Sequence, residues 1–308
     1  MRLKQRTSRR VSQLSTEKVN PASTNLDQMS ALEIATLMNA EDAKVAGAVG
    51  RALPQIACAI DLIAAALRNG GRLIYVGSGT SGRLGALDAS EIPPTFDVDP
   101  RVVQYIMAGG ARALGSSTEA SEDSRQLGRQ EMAKKKPARN DVVVGLAASG
   151  RTPFTIAAIE HARTRGAKTV AVVCNPDSPL GRAAHLSIVA DVGPEVLTGS
   201  TRMKAGTAQK MILNMLSTAA MTRLGYVYGN LMVHVELKNQ KLIERGIRIL
   251  ERATGARRDE AKRVLSEARN RVPVALVMLE TGVTRDVASK ALVATSGNVR
   301  RAIEVARR

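Results

Sequence analysis

The sequence predicts an α/β protein with a three-layer architecture, a parallel sheet covered by helices on both faces, followed by a small helical module. Three observations support this prediction. Short apolar runs of strand length alternate with helical stretches over most of the chain. Several of these runs end in turns rich in Gly, Ser and Thr. Beyond Gly229 the composition shifts toward short helices with one apolar face each.

Length and composition limit the function classes. The chain has 308 residues, is 44% hydrophobic and only 2% aromatic, so its core must be aliphatic. The formal net charge is +17, and the first ten residues carry five basic side chains. We predict a disordered basic tail over residues 1–15. Basic residues elsewhere are mixed with acids, and aromatic stacking residues are scarce, so no nucleic-acid partner is expected. No apolar run is long enough to span a membrane.

Helices are predicted before the first strand. Ser30, with Glu33 three residues later, forms the signature of a capping box and predicts a short helix. A long helical region follows over Glu41–Asn69, and Pro54 is expected to kink or split it. The turn residues Gly70 and Gly71 end this region.

Strands and helices then alternate. The predicted strands are Leu73–Val76, Val102–Met107, Val142–Leu146, Thr169–Val173 and Leu186–Val189. The predicted intervening and following helices are Glu119–Lys135, Pro153–Thr164 and Lys204–Leu224. The module after Gly229 is predicted to hold short helices at Arg257–Ala268, Val272–Leu279, Thr284–Leu292 and Gly297–Val305.

The rest of the chain is organised around the stretch Val76–Gly85, with the sequence VGSGTSGRLG. A strand, a tight Gly/Ser/Thr turn and a helix start present backbone N–H groups and hydroxyls to an anion. The spacing matches neither the P-loop nor the dinucleotide fingerprint. Plain turn chemistry is the alternative interpretation of this stretch taken alone.

Two later stretches repeat the pattern. Ala147–Pro153 follows a strand and precedes a helix, and Gly193–Lys204 does the same further along. We expect the three turns to form one sugar-phosphate pocket at the carboxyl edge of the sheet, although three unrelated loops would give the same pattern. The candidate binding hydroxyls are Ser78, Thr80, Ser81, Ser149, Thr152 and Ser200.

The chain has two cysteines, Cys58 and Cys174, both in apolar surroundings. They are predicted to be buried thiols in a reducing compartment. No Cys/His cluster has the spacing of a metal site, so no metal is expected.

Four stretches carry a specific resemblance, and they cover nearly the whole chain after about Thr16. Their sequences are GTSGR, DASEIPPTF, AASGRTP and GSTRMKAGTAQK, starting at Gly79, Asp88, Ala147 and Gly199. The chain resembles the N-acetylmuramic acid 6-phosphate etherase family of the sugar isomerase (SIS) superfamily, which is related to the glucokinase regulatory protein. The resemblance implies an SIS domain with N-terminal helices over residues 16–245 and a small, UBA-like helical domain over residues 250–308.

The resemblance also implies a carbon–oxygen lyase of peptidoglycan recycling. Such an enzyme converts N-acetylmuramic acid 6-phosphate and water into N-acetylglucosamine 6-phosphate and D-lactate. The open-chain aldehyde acidifies the C2 proton, so a base there and an acid at the ether oxygen suffice, without a metal or redox cofactor. The family resemblance further implies a cytoplasmic enzyme and a homodimer with a composite site.

Two carboxylates match the catalytic positions of the family. Glu91 lies in the Ala-Ser-Glu-x-Pro-Pro segment, and Glu122 lies in the segment Thr118–Asp123. We expect Glu91 to act as the acid toward the departing lactate and Glu122 as the base at C2, with the swapped roles as the alternative. Glu119 is close enough to share the helix face of Glu122. The chain departs from the family pattern at His234, where an acidic residue is expected in many relatives.

Two other function classes remain open on the sequence. A non-catalytic sugar-phosphate sensor of the SIS class would keep the pocket without the chemistry, and the presence of both Glu91 and Glu122 argues against it. An aldose–ketose isomerase would share the open-chain sugar and proton abstraction at C2. A transcription regulator is disfavoured because no helix-turn-helix pattern precedes the SIS region.

Overall fold

The computed structural model describes residues 13–116 and 119–308, without the side chains of residues 119 and 120. Residues 1–12 of the predicted basic tail, which was placed at residues 1–15, lie outside the described residues. The chain divides into two compact units. The first comprises residues up to Ala89 together with Arg101–Ser217, and the second comprises Ser90–Pro100 and Thr218–Arg308.

A five-stranded parallel sheet forms the centre of the first unit, in the order β2-β1-β3-β4-β5. Leu73 pairs with Val103 on one side and with Val142 on the other, which sets the register of the central strand. The predicted parallel α/β fold is confirmed. The strands are β1 (Leu73–Gly77), β2 (Val103–Met107), β3 (Val142–Leu146), β4 (Lys168–Val173) and β5 (Leu186–Val189).

Helices cover both faces of this sheet, because successive strand side chains point to opposite sides. Ile74 and Val76 pack with Phe154 and Ile159 of one helix layer. Tyr75 points the other way, and its hydroxyl donates to Asp88 at 2.8 Å. The helices are α1 (Ala31–Gly50), α2 (Leu53–Arg68), α3 (Gly79–Phe96), α4 (Glu119–Glu122), α5 (Arg125–Lys134), α6 (Pro153–Thr164), α7 (Pro179–Ala183) and α8 (Lys204–Leu224).

Helix boundaries differ from the prediction in two places. The capping box of Ser30 and Glu33 is confirmed, but the helix it starts continues to Gly50 instead of ending before Glu41. The break comes at Arg51 and Ala52, because Pro54 occupies the first turn of α2. The predicted single helix over Glu119–Lys135 is two helices, since Ser124 caps a new start by accepting from the Leu127 N–H at 3.1 Å.

One cysteine prediction is wrong. Cys174 is buried as expected, and burial, together with the charges of Glu195 and Asp191, raises the pKa of its thiol to about 12. Cys58 is exposed. It lies on α2, where Ile56, Ala59 and Ile63 form the buried stripe, and the helical period places residue 58 off that stripe.

The second unit has its own apolar core. Leu250, Leu265, Leu276 and Ile303 are among its buried members, contributed by successive short helices. Its elements after α8 are β6 (Val227–Tyr228), β7 (Leu231–Met232), α9 (Gln240–Thr254), α10 (Arg258–Glu267), α11 (Val272–Thr281), α12 (Arg285–Ala294) and α13 (Val299–Ala306). Helix α9 was not predicted; it is amphipathic and ends at Gly255, whose φ is +74°.

No single helix among the described residues has the length and apolar character to cross a bilayer. The bent pair α1 and α2 meets the length and composition criteria only when its two helices are taken together.

Candidate active site

The strand order of the first unit creates a crevice between β1 and β3. The chain leaves β1 toward β2 on one side and returns to β3 on the other, so the order reverses at this point. In open α/β sheets, ligands bind in the crevice outside the carboxyl ends of strands at such a reversal. The loops that follow β1 and β3 both start there, carrying Ser78, Thr80 and Ser81 from one strand and Ser149 and Thr152 from the other.

The loop after β1 is a very tight turn. Helix α3 begins at Gly79, only two residues after the strand ends, and the Gly82 N–H donates to the Ser78 carbonyl at 3.0 Å. Gly79 has a φ of +52°, in the left-handed region that favours glycine. The first-turn N–H groups of α3 therefore lie at the crevice. Ser78 is buried and Thr80 is partly exposed.

The loop after β3 is shaped by its own hydroxyl. Ser149 Oγ accepts from the Arg151 N–H at 3.2 Å. Gly150, with a φ of +66°, passes so close to Ser178 that an added Cβ would lie 2.4 Å from its Cβ. Thr152 is the N-cap residue of α6 but makes no side-chain capping bond. Ser149 and Thr152 are partly exposed, whereas the backbone at Gly150 is closely packed.

The turn before α8 is built differently. Glu195, fully buried, accepts from the backbone N–H groups of Lys204 at 3.0 Å and Ala205 at 2.9 Å. Burial raises the pKa of Glu195, while these two N–H groups and the Lys204 charge oppose the rise. The N-terminus of α8 is thus capped by a carboxylate from its own turn. Ser200 lies in this turn, partly exposed, and its carbonyl accepts from the Met203 N–H at 3.3 Å.

A buried ion pair anchors the same helix. The side chain of Lys204 is 2% exposed, and its Nζ donates to Glu41 Oε2 at 2.5 Å. Lys44 contacts the other oxygen of Glu41 at 2.5 Å. Burial raises the pKa of Glu41, but the hydrogen bonds from Lys204 and Lys44 outweigh it and lower the pKa to about 2.

A polar seam joins α3 and α8, and no sequence pattern predicted it. Ser81 Oγ donates to Gln209 Oε1 at 2.8 Å. Further along the same two helices, Ser217 Oγ donates to Asp88 Oδ1 at 3.1 Å. Lys204 and Gln209 stand inside the motif GSTRMKAGTAQK, but no local pattern points to their partners.

Glu122 lies over the first residue of α3. A Cβ added to Gly79 would be 3.4 Å from Glu122 Oε1, so this carboxylate sits beside the loop that follows β1. The side chain is partly exposed. The structure therefore brings Glu122 together with the turn carrying Ser78, Thr80 and Ser81. Glu119 is the other carboxylate on this short helix, and its side chain is not among those that the structure describes.

Glu91 lies on the later part of α3, in the second compact unit. It is exposed, and the neighbouring Ile92 is buried. Pro93 and Pro94 follow within the helix and remove two donors from its hydrogen-bond ladder. The catalytic roles of Glu91 and Glu122 and the binding roles of the six hydroxyls stay predictions.

His234, the departure from the family pattern, packs within the second unit. Its ring centroid is 4.6 Å from that of Tyr226, and its Nε2 lies 2.9 Å from the Gly297 carbonyl. Burial lowers the pKa of His234. The neutral ring can therefore donate to Gly297 and tie the loop before α13 to the segment after α8.

Among the residues that the structure describes, no group of three or more His, Cys, Asp or Glu side chains could hold a metal ion.

Two domain families match overlapping parts of the chain. Residues 55–163 match the glucokinase regulatory protein N-terminal SIS domain, and residues 128–219 match the SIS domain. Among solved structures, a phosphoheptose isomerase from Francisella tularensis aligns with a TM-score of 0.50 and 18% identity, over 62% of this chain and 98% of that chain. Phosphoheptose isomerase GmhA from Neisseria gonorrhoeae gives a TM-score of 0.50 and 14% identity, over 63% and 100%. The predicted SIS fold is confirmed.

Curated relatives cover almost all of the chain. An N-acetylmuramic acid 6-phosphate etherase from Aeromonas hydrophila is 52% identical over 287 residues, 93% of this chain and 96% of the relative. One from Symbiobacterium thermophilum is 56% identical over 262 residues, 85% and 87% of the two chains. One from Streptomyces avermitilis is 50% identical over 295 residues, 96% and 95% of the two chains. The chain belongs to the N-acetylmuramic acid 6-phosphate etherase family, as its four motifs predicted.

Proposed function

We propose that this protein is a carbon–oxygen lyase that cleaves the D-lactyl ether of N-acetylmuramic acid 6-phosphate. Its products are N-acetylglucosamine 6-phosphate and D-lactate. Near-full-length identity of about one half to relatives named for this activity carries the proposal. A carboxylate beside the hydroxyl-rich loop at the strand-order reversal supports it. These relatives do not favour the sensor and isomerase alternatives.

The substrate phosphate binds at the crevice between β1 and β3. Ser78, Thr80 and Ser81 donate from the first loop, and Ser149 and Thr152 donate from the second. The N-termini of α3 and α6 add backbone donors and the positive ends of their helix dipoles. Ser200 contributes from the turn before α8. This arrangement fixes the sugar by its phosphate and leaves the opposite end of the sugar for the chemistry.

The reaction is an elimination followed by an addition. Glu122 removes the C2 proton, the C2–C3 double bond forms, and the C3–O bond to lactate breaks while Glu91 protonates the departing oxygen. Water then adds its oxygen to C3 while the ionised Glu91 takes one of its protons, and Glu122 returns a proton to C2. The position of Glu122 beside Gly79 supports its role as the base near the anchored sugar. The chain's own side chains suffice for every proton transfer.

The finer assignments belong to the same proposal. The enzyme acts as a homodimer whose subunits build a composite site. It works in the cytoplasm, in peptidoglycan recycling, where a phosphorylated amino sugar is available. Two free cysteines, Cys58 and Cys174, fit a reducing compartment.

Lactate release from N-acetylmuramic acid 6-phosphate tests the proposed activity. We expect the purified protein to release D-lactate, and Glu122→Gln to lower the rate about 10²–10⁴-fold, the usual contribution of a general base. Glu119→Gln, three residues earlier on the same short helix, is the matched control and should keep the rate. No lactate from folded wild-type protein would reject the proposed function.

A further inference from the structure

The pair Ser81 and Gln209 has one more hydrogen-bonding group than it uses. Ser81 Oγ donates to Gln209 Oε1 at 2.8 Å, and the two residues are 9% and 1% exposed. The other half of the amide, Gln209 Nε2, is buried without a hydrogen-bond partner. Buried donors without acceptors are rare in folded proteins, so this nitrogen calls for an explanation.

The packing of the two helices holds this pair at the crevice. A Cβ added to Gly206, one helical turn before Gln209, would lie 3.4 Å from Thr80 Cγ2, so the start of α8 contacts the start of α3. Gln209 therefore faces the same turn of α3 that carries the candidate phosphate ligands. Gln209 is more deeply buried than Ser81.

In this geometry the Ser81 hydroxyl cannot donate to a second group. A hydroxyl has one hydrogen, and here that hydrogen goes to Gln209 Oε1. A phosphate dianion offers only acceptor oxygens, so a serine whose hydrogen is already used cannot bind it. Rotation of the Gln209 amide by half a turn exchanges its oxygen and nitrogen. Nε2 then donates to Ser81 Oγ, and the hydroxyl hydrogen is released toward the crevice.

We infer that Gln209 is a positioning residue that makes Ser81 a donor to the substrate phosphate. In the bound state the Gln209 amide donates to Ser81 Oγ, and Ser81 donates to a phosphate oxygen. The rotated amide leaves a carbonyl without a partner in place of an N–H group, and buried carbonyls are left unsatisfied more often than N–H groups. This inference rests on the phosphate placement in the proposed function.

The role requires an amide. Glutamate has the same shape but only accepts, so Gln209→Glu would hold the Ser81 hydrogen permanently and add a negative charge near the phosphate. Methionine has similar length and no hydrogen bond, so Gln209→Met would leave the hydroxyl unoriented but able to donate. Gln209→Met therefore tests the loss of orientation of the Ser81 hydroxyl, and Gln209→Glu tests the retention of its hydrogen by residue 209.

The test measures the dissociation constant of N-acetylglucosamine 6-phosphate by calorimetry on the full chain. We expect Ser81→Ala to weaken binding about 10–100-fold, the value of a hydrogen bond to a charged group. Gln209→Glu should weaken it at least as much, and Gln209→Met less. Because Gln209 acts through Ser81, the double variant Ser81→Ala, Gln209→Met should bind no more weakly than Ser81→Ala alone. Ser217→Ala, on the same seam beside Asp88, is the control and should bind like wild type.

Contrary outcomes separate this inference from the function beneath it. Two results would overturn the role of Gln209 while leaving the phosphate site intact. One is wild-type affinity in Gln209→Glu. The other is a loss of affinity in the double variant that equals the product of the two single-variant losses. If Gln209→Glu does not fold, the comparison of Ser81→Ala, Gln209→Met and their double variant decides alone. Unchanged affinity in Ser81→Ala would overturn both this inference and the placement of the phosphate, and failure of wild type to release lactate would reject the proposed function itself.

Discussion

Helices α6 and α8 follow similar hydroxyl-rich turns but begin in different ways. At α8, the buried carboxylate of Glu195 accepts from the first backbone N–H groups, and the Lys204–Glu41 ion pair anchors the same turn. At α6, the N-cap residue Thr152 makes no side-chain capping bond. The start of α8 is capped from within the protein, whereas the start of α6 has no side-chain cap. Similar turn sequences thus lead to different helix starts, and we propose that the start of α6 is the one more open to the substrate phosphate.

The largest expected effect is on stability, at the start of α8. Lys204→Met leaves the buried Glu41 carboxylate without its buried partner and should lower the free energy of unfolding by about 3–5 kcal/mol. Lys134→Met removes an ion pair with Glu131, in which the Lys134 and Glu131 side chains are 70% and 32% exposed. This change should lower the free energy of unfolding by less than about 1 kcal/mol. Urea unfolding of the two variants makes the comparison. Equal losses would contradict the anchoring role of the buried pair.

The same ion pair predicts a pH dependence. The pKa of Glu41 is about 2 in the folded chain against an ordinary value of 4.5. Because the folded pKa is the lower one, the stabilisation is complete above about pH 4.5 and is lost as the pH falls toward 2. The difference in unfolding free energy between wild type and Lys204→Met should therefore shrink over this range, by at most about 3 kcal/mol. A difference that stays constant down to pH 2 would argue against the pair.

A third comparison concerns ligand binding at the two turns. Ser149→Ala, at the turn before α6, should weaken sugar-phosphate binding by about 1.5–3 kcal/mol, the value of a hydrogen bond to a charged group. Ser200→Ala should weaken it less, because the neighbouring helix start is already capped by Glu195. Calorimetry with N-acetylglucosamine 6-phosphate checks the ranking. A larger loss for Ser200→Ala would reverse our distinction between the two helix starts.

The smallest effect separates two N-cap residues. Thr152→Ala should change the free energy of unfolding by less than about 0.5 kcal/mol, because the hydroxyl makes no capping bond. Ser124→Ala removes a capping bond to the Leu127 N–H and should cost about 1 kcal/mol. Thermal or urea unfolding of the two variants measures the difference in their free energies of unfolding. A cost at Thr152 equal to that at Ser124 would show that its hydroxyl has a structural role.

Local patterns predicted much of this fold. The five strands are apolar runs bounded by turn residues, and each was found within about two residues of its observed bounds, since strand length and flanking glycines are local signals. The Ser30 capping box and the break before Pro54 are local as well. The fusion of the Ser30 helix with the next helical region was missed.

What the sequence could not predict depends on residues far apart in the chain. Lys204 and Glu41 are separated by 163 positions, and Gln209 and Ser81 by 128. Periodicity in a single sequence carries no signal for such pairs. The candidate hydroxyls were chosen because parallel strands bring their carboxyl ends to one edge, whereas Gln209, the partner of Ser81, comes from elsewhere in the fold.

Hydrogen exchange at C2 tests the central claim most directly, namely that Glu122 is the base beside the anchored sugar. Product formed in heavy water by wild type should carry deuterium at C2. Glu122→Gln should lose both this exchange and lactate release, whereas Glu91→Gln should keep some exchange, since the aldehyde alone acidifies C2. Both variants must remain folded. Exchange that survives in Glu122→Gln but disappears in Glu91→Gln would swap the two roles, and near-normal lactate release from both would contradict the mechanism.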